Sequence, residues 1–439
     1  MPVERESRIT LRPVLKNCLL LLTEFPPKIT PGVHRSLRFC RYLRAFGWNP
    51  IVLTMGNNQD NTDELMKSLP EGILVERLSS RDTINGPSTQ NTSVPTSKPN
   101  GGLKEYIKNS IRPLVRLLTE TPDKNYSWAK LASQRGSDLA REHHALVVFS
   151  SGPPHSTHLG ALAISKRCKI PLVVDLRDPW GRKPWKNKDN PLRDYVLPWF
   201  EQRVVGGASQ VILNTESSLQ DFQKHYANQH SKFSCIPNGL DSQLVEQVAN
   251  LNKPTQSNPC PVLVHPGNLY GHRDPVPLIK AVALLKEKGK HVRFRQIGSI
   301  DPHYNAESLV HSLGLQEHVS IEPPVPHLQV LQAMQDSDVL VIVQPDAPFM
   351  VPAKVFEMMA FDQPILSVSD SPCTEAIVLR SGGACAASRD VEGIAAAIER
   401  ILDMLASPEL QAARGLARTT YDAKRLTGQL ADVFNKALS

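Results

Sequence analysis

The sequence predicts an α/β protein with two doubly wound domains, each built on a parallel β-sheet. Short apolar segments of strand length alternate with helical segments along most of the chain. The alternation stops in the polar segment 250–259 and then starts again. The length of 439 residues also exceeds that of most single domains. We therefore expect a first domain over residues 16–250, a second over 256–425, and a final helix over 426–439 that packs back on the first domain.

The first predicted domain opens with the apolar strand Cys18–Leu22 and the helix Val33–Phe46. That helix is expected to end at Gly47, because glycine readily adopts the left-handed conformation found at helix ends. Further strands are expected at β-prone segments, namely Pro50–Thr54, Ile73–Arg77, Ala145–Phe149, Pro171–Val174, Val211–Asn214 and Phe233–Ile236. Helices are expected at Tyr126–Glu142 and at Ser156–Cys168, the latter with Ser156 or Thr157 as its N-cap.

The second predicted domain repeats this alternation. Its expected strands are Val262–His265, Val292–Ile297, Val319–Ile321, Val339–Val343 and Ile365–Val368. Its expected helices are Val276–Lys288, Ala306–Leu313, Leu328–Met334 and Ala353–Ala360, followed by long helices from Val391 to the end. Strands that alternate with helices in this way form parallel sheets covered on both faces.

The composition favours a cytoplasmic protein with reduced thiols. The seven cysteines are dispersed and lack the paired spacing of a disulfide framework or a zinc site. No apolar run approaches the roughly 20 residues that span a bilayer, and Glu4 and Glu6 interrupt the basic region that a signal peptide needs. The net charge of +7 suggests an anionic partner. Because no basic motif is interleaved with aromatic residues, we do not expect that partner to be nucleic acid.

Two neighbouring segments differ from the rest of the first domain. Residues 79–102 are rich in Ser, Thr, Pro and Gly and lack apolar periodicity, which predicts a flexible surface insertion. Residues 103–118 are basic, with apolar residues at helical spacing that Pro113 interrupts. This segment is either a surface helix that packs on the domain or an interfacial helix that contacts an anionic membrane surface.

Polar side chains follow two predicted strands between residues 145 and 180. The carboxyl ends of parallel strands meet at one edge of a sheet, and open α/β sheets bind ligands at that edge. We therefore expect a ligand site there, formed by His155, His158, Asp175, Arg177 and Asp178.

A second polar edge is expected in the second domain. Gly267 directly follows a strand and would let a ligand approach the backbone, and Arg273 precedes the next helix. Pro352 suits the first turn of a helix that carries Lys354 and Glu357. The helix end and Lys354 could hold a diphosphate, and Glu357 could bind the hydroxyls of a ribose. Alternatively, the glutamate only complements the helix dipole and the lysine is solvated.

The motifs along the chain resemble those of glycosyltransferases with the GT-B fold, in particular the family 4-like group and its subgroup with an Asp-Arg-Asp-Pro-Trp motif. Six motifs match in order: Phe25-Pro26-Pro27 with Pro31-Gly32 and Arg35; Pro122-Asp123 with Trp128; Ser151 to His158 followed by Asp175-Leu176-Arg177-Asp178-Pro179-Trp180; Ile236-Pro237-Asn238-Gly239 with Asp241; Gly267 to Arg273; and Pro352 to Glu357 with Pro364-Ile365. The resemblance implies two Rossmann-like domains that face each other across a cleft.

The same resemblance implies a donor site and an acceptor site. The second domain would hold a nucleotide-diphosphate sugar, with Arg273 and Lys354 on the diphosphate and Glu357 on the ribose. The expected donor-binding set also includes Gly32, Gly267, Asn268 and Pro352. The first domain would hold a glycan, lipid-linked or small-molecule acceptor. No metal and no other cofactor is expected, since the cationic side chains would replace a divalent ion.

Three positions depart from the family pattern. Many members carry two glutamates seven residues apart, and Phe349 stands at the earlier position here. A basic residue often follows the glycine at 267, where this chain has Asn268. A histidine that is commonly proposed to assist catalysis is replaced by Ser151.

The catalytic candidates are therefore His158, His155 and Asp178. His158 either assists the chemistry or is buried against the sheet, and Asp178 either orients an acceptor hydroxyl or pairs with Arg177. The resemblance implies sugar transfer with retention of anomeric configuration, in polysaccharide or glycolipid assembly. That setting would suit a cytoplasmic protein whose basic segment 103–118 contacts the inner face of the plasma membrane. Two alternatives share the fold: a non-catalytic nucleotide-sugar-binding or scaffold protein, and a sugar-nucleotide epimerase.

Overall fold

The computed structural model of the chain describes residues 14–28, 30–56, 64–79, 121–183, 193–252, 260–344 and 347–439. Apart from Ser79, the predicted insertion over 79–102 and the basic segment over 103–118 lie outside the described residues. Most of the predicted linker, residues 253–259, lies outside them as well.

The described residues form two β-sheets. The first has seven strands in the order β3-β2-β1-β4-β5-β6-β7, and the second has six in the order β10-β9-β8-β11-β12-β13. The strands of the first sheet are β1 (Lys16–Leu22), β2 (Trp48–Met55), β3 (Leu74–Leu78), β4 (Val147–Gly152), β5 (Leu172–Leu176), β6 (Gln210–Leu213) and β7 (Phe233–Cys235). Those of the second are β8 (Val262–Pro266), β9 (Arg293–Ile297), β10 (Val319–Glu322), β11 (Val339–Gln344), β12 (Ile365–Ser369) and β13 (Ala384–Ala386).

The pairing confirms the predicted doubly wound α/β class. Strands β1 to β5 pair in parallel, and so do strands β8 to β13. In each sheet the chain runs outward in both directions from a central pair, β1 with β4 and β8 with β11. Ligands bind at such switch points, beyond the carboxyl ends of the strands.

Helices connect the strands. They are α1 (Pro31–Tyr42), α2 (Glu64–Lys67), α3 (Tyr126–Glu142), α4 (Ser156–Cys168), α5 (Arg193–Gly207), α6 (Glu216–His225), α7 (Ser242–Ala249), α8 (Val276–Glu287), α9 (Ala306–Ser312), α10 (His327–Gln335), α11 (Ala353–Met358), α12 (Pro372–Arg380), α13 (Val391–Asp403), α14 (Pro408–Thr420) and α15 (Ala423–Leu438). The bounds of α3 and α4 are those that the sequence predicts.

Some helix ends differ from the prediction. Helix α1 ends at Tyr42 and continues as a 3₁₀ turn to Phe46, before Gly47 adopts the expected left-handed conformation with φ of 83°. The predicted N-cap of α4, Ser156 or Thr157, is wrong: both residues lie inside the helix, and His155 occupies the cap position without a side-chain bond. The first turn of α4 is instead capped by the carboxylate of Asp123, which lies 33 residues before Ser156 in the sequence.

By contact density the chain divides into two units. The first comprises residues 1–212 with 427–439, and the second comprises 213–426. Residues 213–250, which the sequence places in the first domain, belong to the second unit in this division. The predicted domain boundaries, including the one near residue 255, stay predictions. A cleft between two facing domains also stays a prediction. Among the described residues, no helix is both long and apolar enough to cross a bilayer.

The last helix, α15, contributes to the core of the first unit. The Phe434 ring is fully buried and makes edge contacts with Trp48, at 5.2 Å between ring centroids, and with Phe149, at 5.7 Å. Trp48 begins β2 and Phe149 lies in the centre of β4. The C-terminal helix therefore covers one face of the first sheet.

We expect Phe434→Ala to lower the free energy of unfolding by about 3–5 kcal/mol, because it removes a buried aromatic ring and leaves a cavity. Leu438→Ala on the same helix is the matched control, since Leu438 is exposed and its loss should cost no more than ~0.5 kcal/mol. Urea titration of both variants measures the difference. Equal losses would show that α15 does not belong to the core.

Candidate functional site

A buried ion pair lies at the carboxyl edge of the first sheet. Arg35 on α1 donates from Nε and Nη2 to the two carboxylate oxygens of Asp175 at the end of β5, at 3.0 and 2.7 Å. The side chains are 3% and 0% exposed. Ser151 at the end of β4 also donates to Asp175, at 2.7 Å. Both oxygens of the Asp175 carboxylate therefore accept hydrogen bonds from within the protein. Asp175 links α1 to the sheet and is not available to a ligand.

Gly32 lies beneath a second ion pair. Arg177 donates from Nη2 to Glu24 Oε2 at 2.8 Å and to the carbonyl of Pro153. A Cβ atom on Gly32 would overlap both the Arg177 guanidinium and the Glu24 carboxylate. A larger side chain at this position would displace the ends of Arg177 and Glu24, and Arg177 is the side chain that lies over the glycine.

The predicted histidines differ in their surroundings. His158 is fully buried and hydrogen-bonded through Nδ1 to the hydroxyl of Ser150 at 2.9 Å, whereas its Nε2 atom has no partner. Burial lowers the pKa of His158 to about 3, the nearby Asp175 raises it and Arg177 lowers it. His155 is partly buried and stacks on Trp180, with 4.9 Å between ring centroids and 10° between planes. Burial also lowers the pKa of His155 well below its ordinary value, as do His158 and Arg177. Both imidazoles are therefore neutral near pH 7.

Asp178 is the acidic residue among the predicted catalytic residues, and it is partly buried. No described residue forms a hydrogen bond or an ion pair with its side chain. Burial raises the pKa of the carboxyl, Arg177 lowers it, and Glu24 and Asp175 raise it. Asp178 can therefore accept a hydrogen bond from a ligand hydroxyl.

Asp123 is a residue that sequence reasoning did not assign. Its carboxylate accepts from the backbone N–H of Ser156 at 2.8 Å and from the hydroxyl of Ser156 at 2.7 Å. It thus supplies the cap that α4 lacks, because the first N–H groups of a helix have no partner within the helix. The family motif that contains Pro122 and Asp123 is the sequence signal that could have identified this role.

The second polar cluster surrounds the turn after β8. Gly267 has φ of 132°, in the region that favours glycine. Gln296 on β9 holds the turn by donating from Nε2 to the Gly267 carbonyl at 2.6 Å, and His265 Nδ1 donates to Gln296 Oε1 at 2.8 Å. Asn268, which we expected to bind a donor, accepts from the backbone N–H of Ser299 through its Oδ1 atom at 3.0 Å. That oxygen holds two loops together.

Two predicted cations meet at this turn. A Cβ atom on Gly267 would lie 3.0 Å from Lys354 Cε and 3.3 Å from Lys354 Nζ, so the lysine lies directly over the glycine. The pKa of His265 is lowered to about 4; burial is the largest cause, the bond to Gln296 opposes it, and the charges of Lys354 and Arg273 lower it further. The charges of both cations therefore act on His265.

Neither cation is neutralised within the described part of the chain, where no carboxylate forms an ion pair with Lys354 or Arg273. The Arg273 guanidinium lies over the ring of Tyr270, 4.7 Å from its centroid. Two partly exposed cations without counter-ions form a site that favours an anion.

Helix α11 carries Lys354 and Glu357 three residues apart, which places both on one face. Among the described residues, none forms a hydrogen bond or ion pair with the Glu357 side chain. The expected place of Pro352 in the first turn is wrong, because Pro352 is the N-cap, with ψ of 135°. The helix is also shorter than predicted and contains only six residues.

Two pockets open at the carboxyl edge of the second sheet. One of about 720 Å³ is lined by Gly271 after β8, Gln344 at the end of β11 and Arg389 after β13. The buried Oε1 atom of Gln344 has no hydrogen-bond partner. Another of about 480 Å³ is lined by Ser299 after β9 and Glu322 at the end of β10. No described group of three or more His, Cys, Asp or Glu side chains is arranged to hold a metal ion.

Comparison with known protein families gives two matches that follow each other along the chain. The model described as Glycosyltransferase Family 4 matches residues 32–244. The model described as Glycosyl transferases group 1 matches residues 249–415. A curated relative, D-inositol 3-phosphate glycosyltransferase from Nocardiopsis dassonvillei, is 24% identical over 254 residues, which cover 53% of this chain and 57% of the relative. The match thus spans little more than half of that relative's length.

Solved structures show the same fold. A glycosyltransferase from Rickettsia africae superimposes with a TM-score of 0.64 and 13% identity, covering 97% of this chain and 99% of the other. HepE from Anabaena in complex with UDP superimposes with a TM-score of 0.63 and 17% identity, covering 96% and 100%. The predicted GT-B class, with two Rossmann-like parallel-sheet domains, is thereby confirmed. The two family models matched along the chain are both glycosyltransferase models, and the solved structures add the GT-B fold.

The buried neutral state of His158 predicts a pH dependence of stability. Because its pKa is about 3 in the folded chain and about 6.5 when unfolded, the unfolded chain binds the extra proton between these values, and stability falls as the pH falls through this window. The full slope of about 1.4 kcal/mol per pH unit applies only below about pH 6.5. Between pH 7 and pH 5 we therefore expect His158→Gln to reduce the loss of unfolding free energy by about 2 kcal/mol.

Urea titrations of the wild type and of His158→Gln at pH 7 and pH 5 measure this difference. His230→Gln is the control, since His230 is exposed. His155 and His265 contribute in the same direction in every variant, so only the difference reports on His158. Identical pH slopes for the wild type and His158→Gln would contradict this prediction.

Proposed function

Because both parts of the chain match glycosyltransferase models, we propose that this protein transfers a sugar from a nucleotide-diphosphate sugar to a glycan, lipid-linked or small-molecule acceptor. We further propose that the transfer retains the anomeric configuration. We also propose that the chain belongs to the subgroup with the Asp-Arg-Asp-Pro-Trp motif, which is Asp175-Leu176-Arg177-Asp178-Pro179-Trp180 in this sequence. The setting would be polysaccharide or glycolipid assembly.

One observation carries the donor part of the proposal. Lys354 lies over Gly267, Arg273 acts on the same His265, and neither cation has a carboxylate partner among the described residues. A diphosphate would supply the missing negative charge, and the glycine turn would let it approach the backbone. HepE, which shares the fold, was solved with UDP, which supports a nucleotide sugar as the donor.

These cations would also supply most of the catalysis. Cleavage of the bond between sugar and phosphate develops negative charge on the leaving diphosphate. Cations that are already in place stabilise that charge without reorganisation, and single electrostatic donors of this kind are worth roughly 3–4 kcal/mol. We therefore propose that no metal ion is required, so turnover should persist in the presence of a chelator.

The acceptor would bind at the polar edge of the first sheet. Asp178 has a carboxylate without a hydrogen-bond partner among the described residues, and His155 is a partly buried residue that stacks on Trp180 of the same motif. We propose that Asp178 orients the acceptor hydroxyl and that His155 contacts the acceptor. His158 is fully buried, which favours a structural role for it at the Ser150 hydroxyl.

The location of the protein is part of the same proposal. We propose a cytoplasmic protein that touches an anionic membrane surface through residues 103–118, which lie outside the described residues. The basic, amphipathic pattern of that segment and the net charge of +7 support this assignment.

The donor site predicts a loss of binding when its cations are removed. In calorimetry with a panel of nucleoside diphosphates (UDP, GDP, ADP, CDP and dTDP) and inorganic pyrophosphate, Lys354→Ala and Arg273→Ala should each weaken binding by about tenfold to a hundredfold, since a hydrogen bond to a charged group is worth about 1.5–3 kcal/mol. The double variant should lose turnover. Lys280→Ala on α8 is the control, because Lys280 is exposed.

Retained turnover in the double variant would reject the leaving-group role. If the wild type consumes a sugar nucleotide without any acceptor and releases an epimeric sugar, the protein is an epimerase. Nucleotide binding without consumption under any acceptor condition would indicate a binding or scaffold protein.

Glu357 allows a sharper test, because its proposed partner is the ribose and not the phosphates. Glu357→Ala should weaken the binding of the preferred nucleoside diphosphate by about tenfold, which corresponds to about 1.4 kcal/mol. The same variant should bind inorganic pyrophosphate as the wild type does. Equal weakening of both ligands, or of neither, would reject the ribose role.

A further inference from the structure

Helix α11 is too short to be stable on its own. It contains six residues, Ala353–Met358, whereas isolated helices of fewer than roughly 12–15 residues are marginal in water. The last carbonyl groups of any helix also lack partners within it. The segment that carries Lys354 and Glu357 must therefore be held by groups from elsewhere in the chain.

Two arginines from α14 bind the carboxyl end of α11. Arg414 donates from Nη2 to the carbonyls of Met358 and Phe361, each at 2.7 Å. Arg418, one turn further along α14, donates from Nε to the Met359 carbonyl at 2.9 Å and from Nη2 to the Ala360 carbonyl at 3.3 Å. Four consecutive carbonyls, 358 to 361, are thus bound by two side chains that lie more than 50 residues later in the sequence.

The burial of Arg414 is unusual for a residue that serves stability alone. Its side chain is 1% exposed, its Nε and Nη1 atoms have no partner, and no carboxylate among the described residues lies within ion-pair distance. Burial lowers the pKa of its guanidinium, the charge of Arg418 lowers it too, and Asp362 raises it. Well-packed apolar side chains often replace buried charges without loss of stability. The arginine is therefore better explained by what it positions.

The segment before α11 is held as well. Ser371, the N-cap of α12, donates from its hydroxyl to the carbonyl of Ala347 at 2.9 Å. Thr374 in the first turn of α12 lies 3.4 Å from the Met350 carbonyl. The stretch from Ala347 to Phe361 is thereby attached at both ends to α12 and α14, and its middle carries the two proposed donor-binding side chains.

We propose that Arg414 and Arg418 are positioning residues for the nucleotide site. They hold the Met358 carbonyl at the negative end of the helix dipole and the carbonyls of the turn 359–361 that follows α11, so that Lys354 stays over Gly267 and Glu357 stays on the same face. This inference rests on the proposed function, since it assigns Lys354 and Glu357 to the donor. It adds two residues of α14 that need not touch the donor themselves.

The experiment compares Arg414→Met with Arg414→Lys in the full chain. Methionine removes the donors but keeps an apolar stem, whereas a lysine ammonium can still donate to both carbonyls. Hydrogen–deuterium exchange of the amides over 353–361 reports the stability of α11, and calorimetry with UDP and inorganic pyrophosphate reports the site. Arg425→Met on α15 is the control, because Arg425 is exposed and does not bind α11.

For Arg414→Met we expect faster exchange over 353–361 and about tenfold weaker binding of pyrophosphate, because a displacement of even 1 Å is costly at such sites. The melting temperature should change little. Arg414→Lys should restore most of the affinity, and Arg425→Met should behave as the wild type. The double variant Arg414→Met with Arg418→Met should show a larger loss of affinity than either single variant.

Unchanged exchange over 353–361 in Arg414→Met would overturn the inference. Faster exchange with unchanged affinity would also overturn it, because α11 would then be held without effect on the site. If the wild type binds neither pyrophosphate nor any of the nucleoside diphosphates UDP, GDP, ADP, CDP and dTDP, the proposed function fails, and the nucleotide part of this inference fails with it. The exchange data then still decide whether the arginines hold α11.

Discussion

The close contact between Lys354 and the turn at Gly267 is the constraint on which the second polar cluster depends. Any side chain at 267 would press on the lysine stem, and the positive φ of this residue disfavours other residues as well. Gln296 holds the turn through its amide, accepting from His265 and donating to the Gly267 carbonyl. Every group in this network is uncharged. Among the described residues the Lys354 ammonium therefore has no carboxylate counter-ion, and its charge is available to a ligand.

The cations at the two polar sheet edges differ in whether a carboxylate binds them. In the first unit Arg35 pairs with Asp175 and attaches α1 to the sheet. Arg177 pairs with Glu24 and covers Gly32. In the second unit Lys354 and its neighbour Arg273 have no such carboxylates among the described residues. Breaking a buried pair costs about 3–5 kcal/mol, because it leaves one charge alone in a poor solvent. Paired cations are therefore structural, whereas the unpaired ones of the second unit are the groups that an anion would meet without that penalty.

Local patterns explain which features the sequence could predict. The bounds of α3 and α4 follow from helical spacing between clear strand signals, and the left-handed Gly47 follows from glycine chemistry. Helix α5 was not predicted, because Pro198 lies inside it and its apolar residues do not favour one face. The pair Arg35–Asp175 joins residues 140 apart, and the cap from Asp123 to Ser156 joins residues 33 apart. Contacts of that kind depend on which strands become neighbours, so periodicity and spacing do not reveal them.

Ser151 bears on how the proposed transfer would proceed without the histidine that many relatives place there. Its hydroxyl donates to Asp175, which Arg35 already holds, so this position belongs to a buried ion-pair network. The neighbouring imidazole of His158 is fully enclosed, and its low pKa makes it a weak base. Departure of a diphosphate, however, requires stabilisation of negative charge more than a strong base, and preorganised cations supply it. Ser151 is therefore part of the network that holds Asp175, while the cations without carboxylate partners among the described residues lie at the second sheet edge. The proposed transfer would meet its main demand there without the missing histidine.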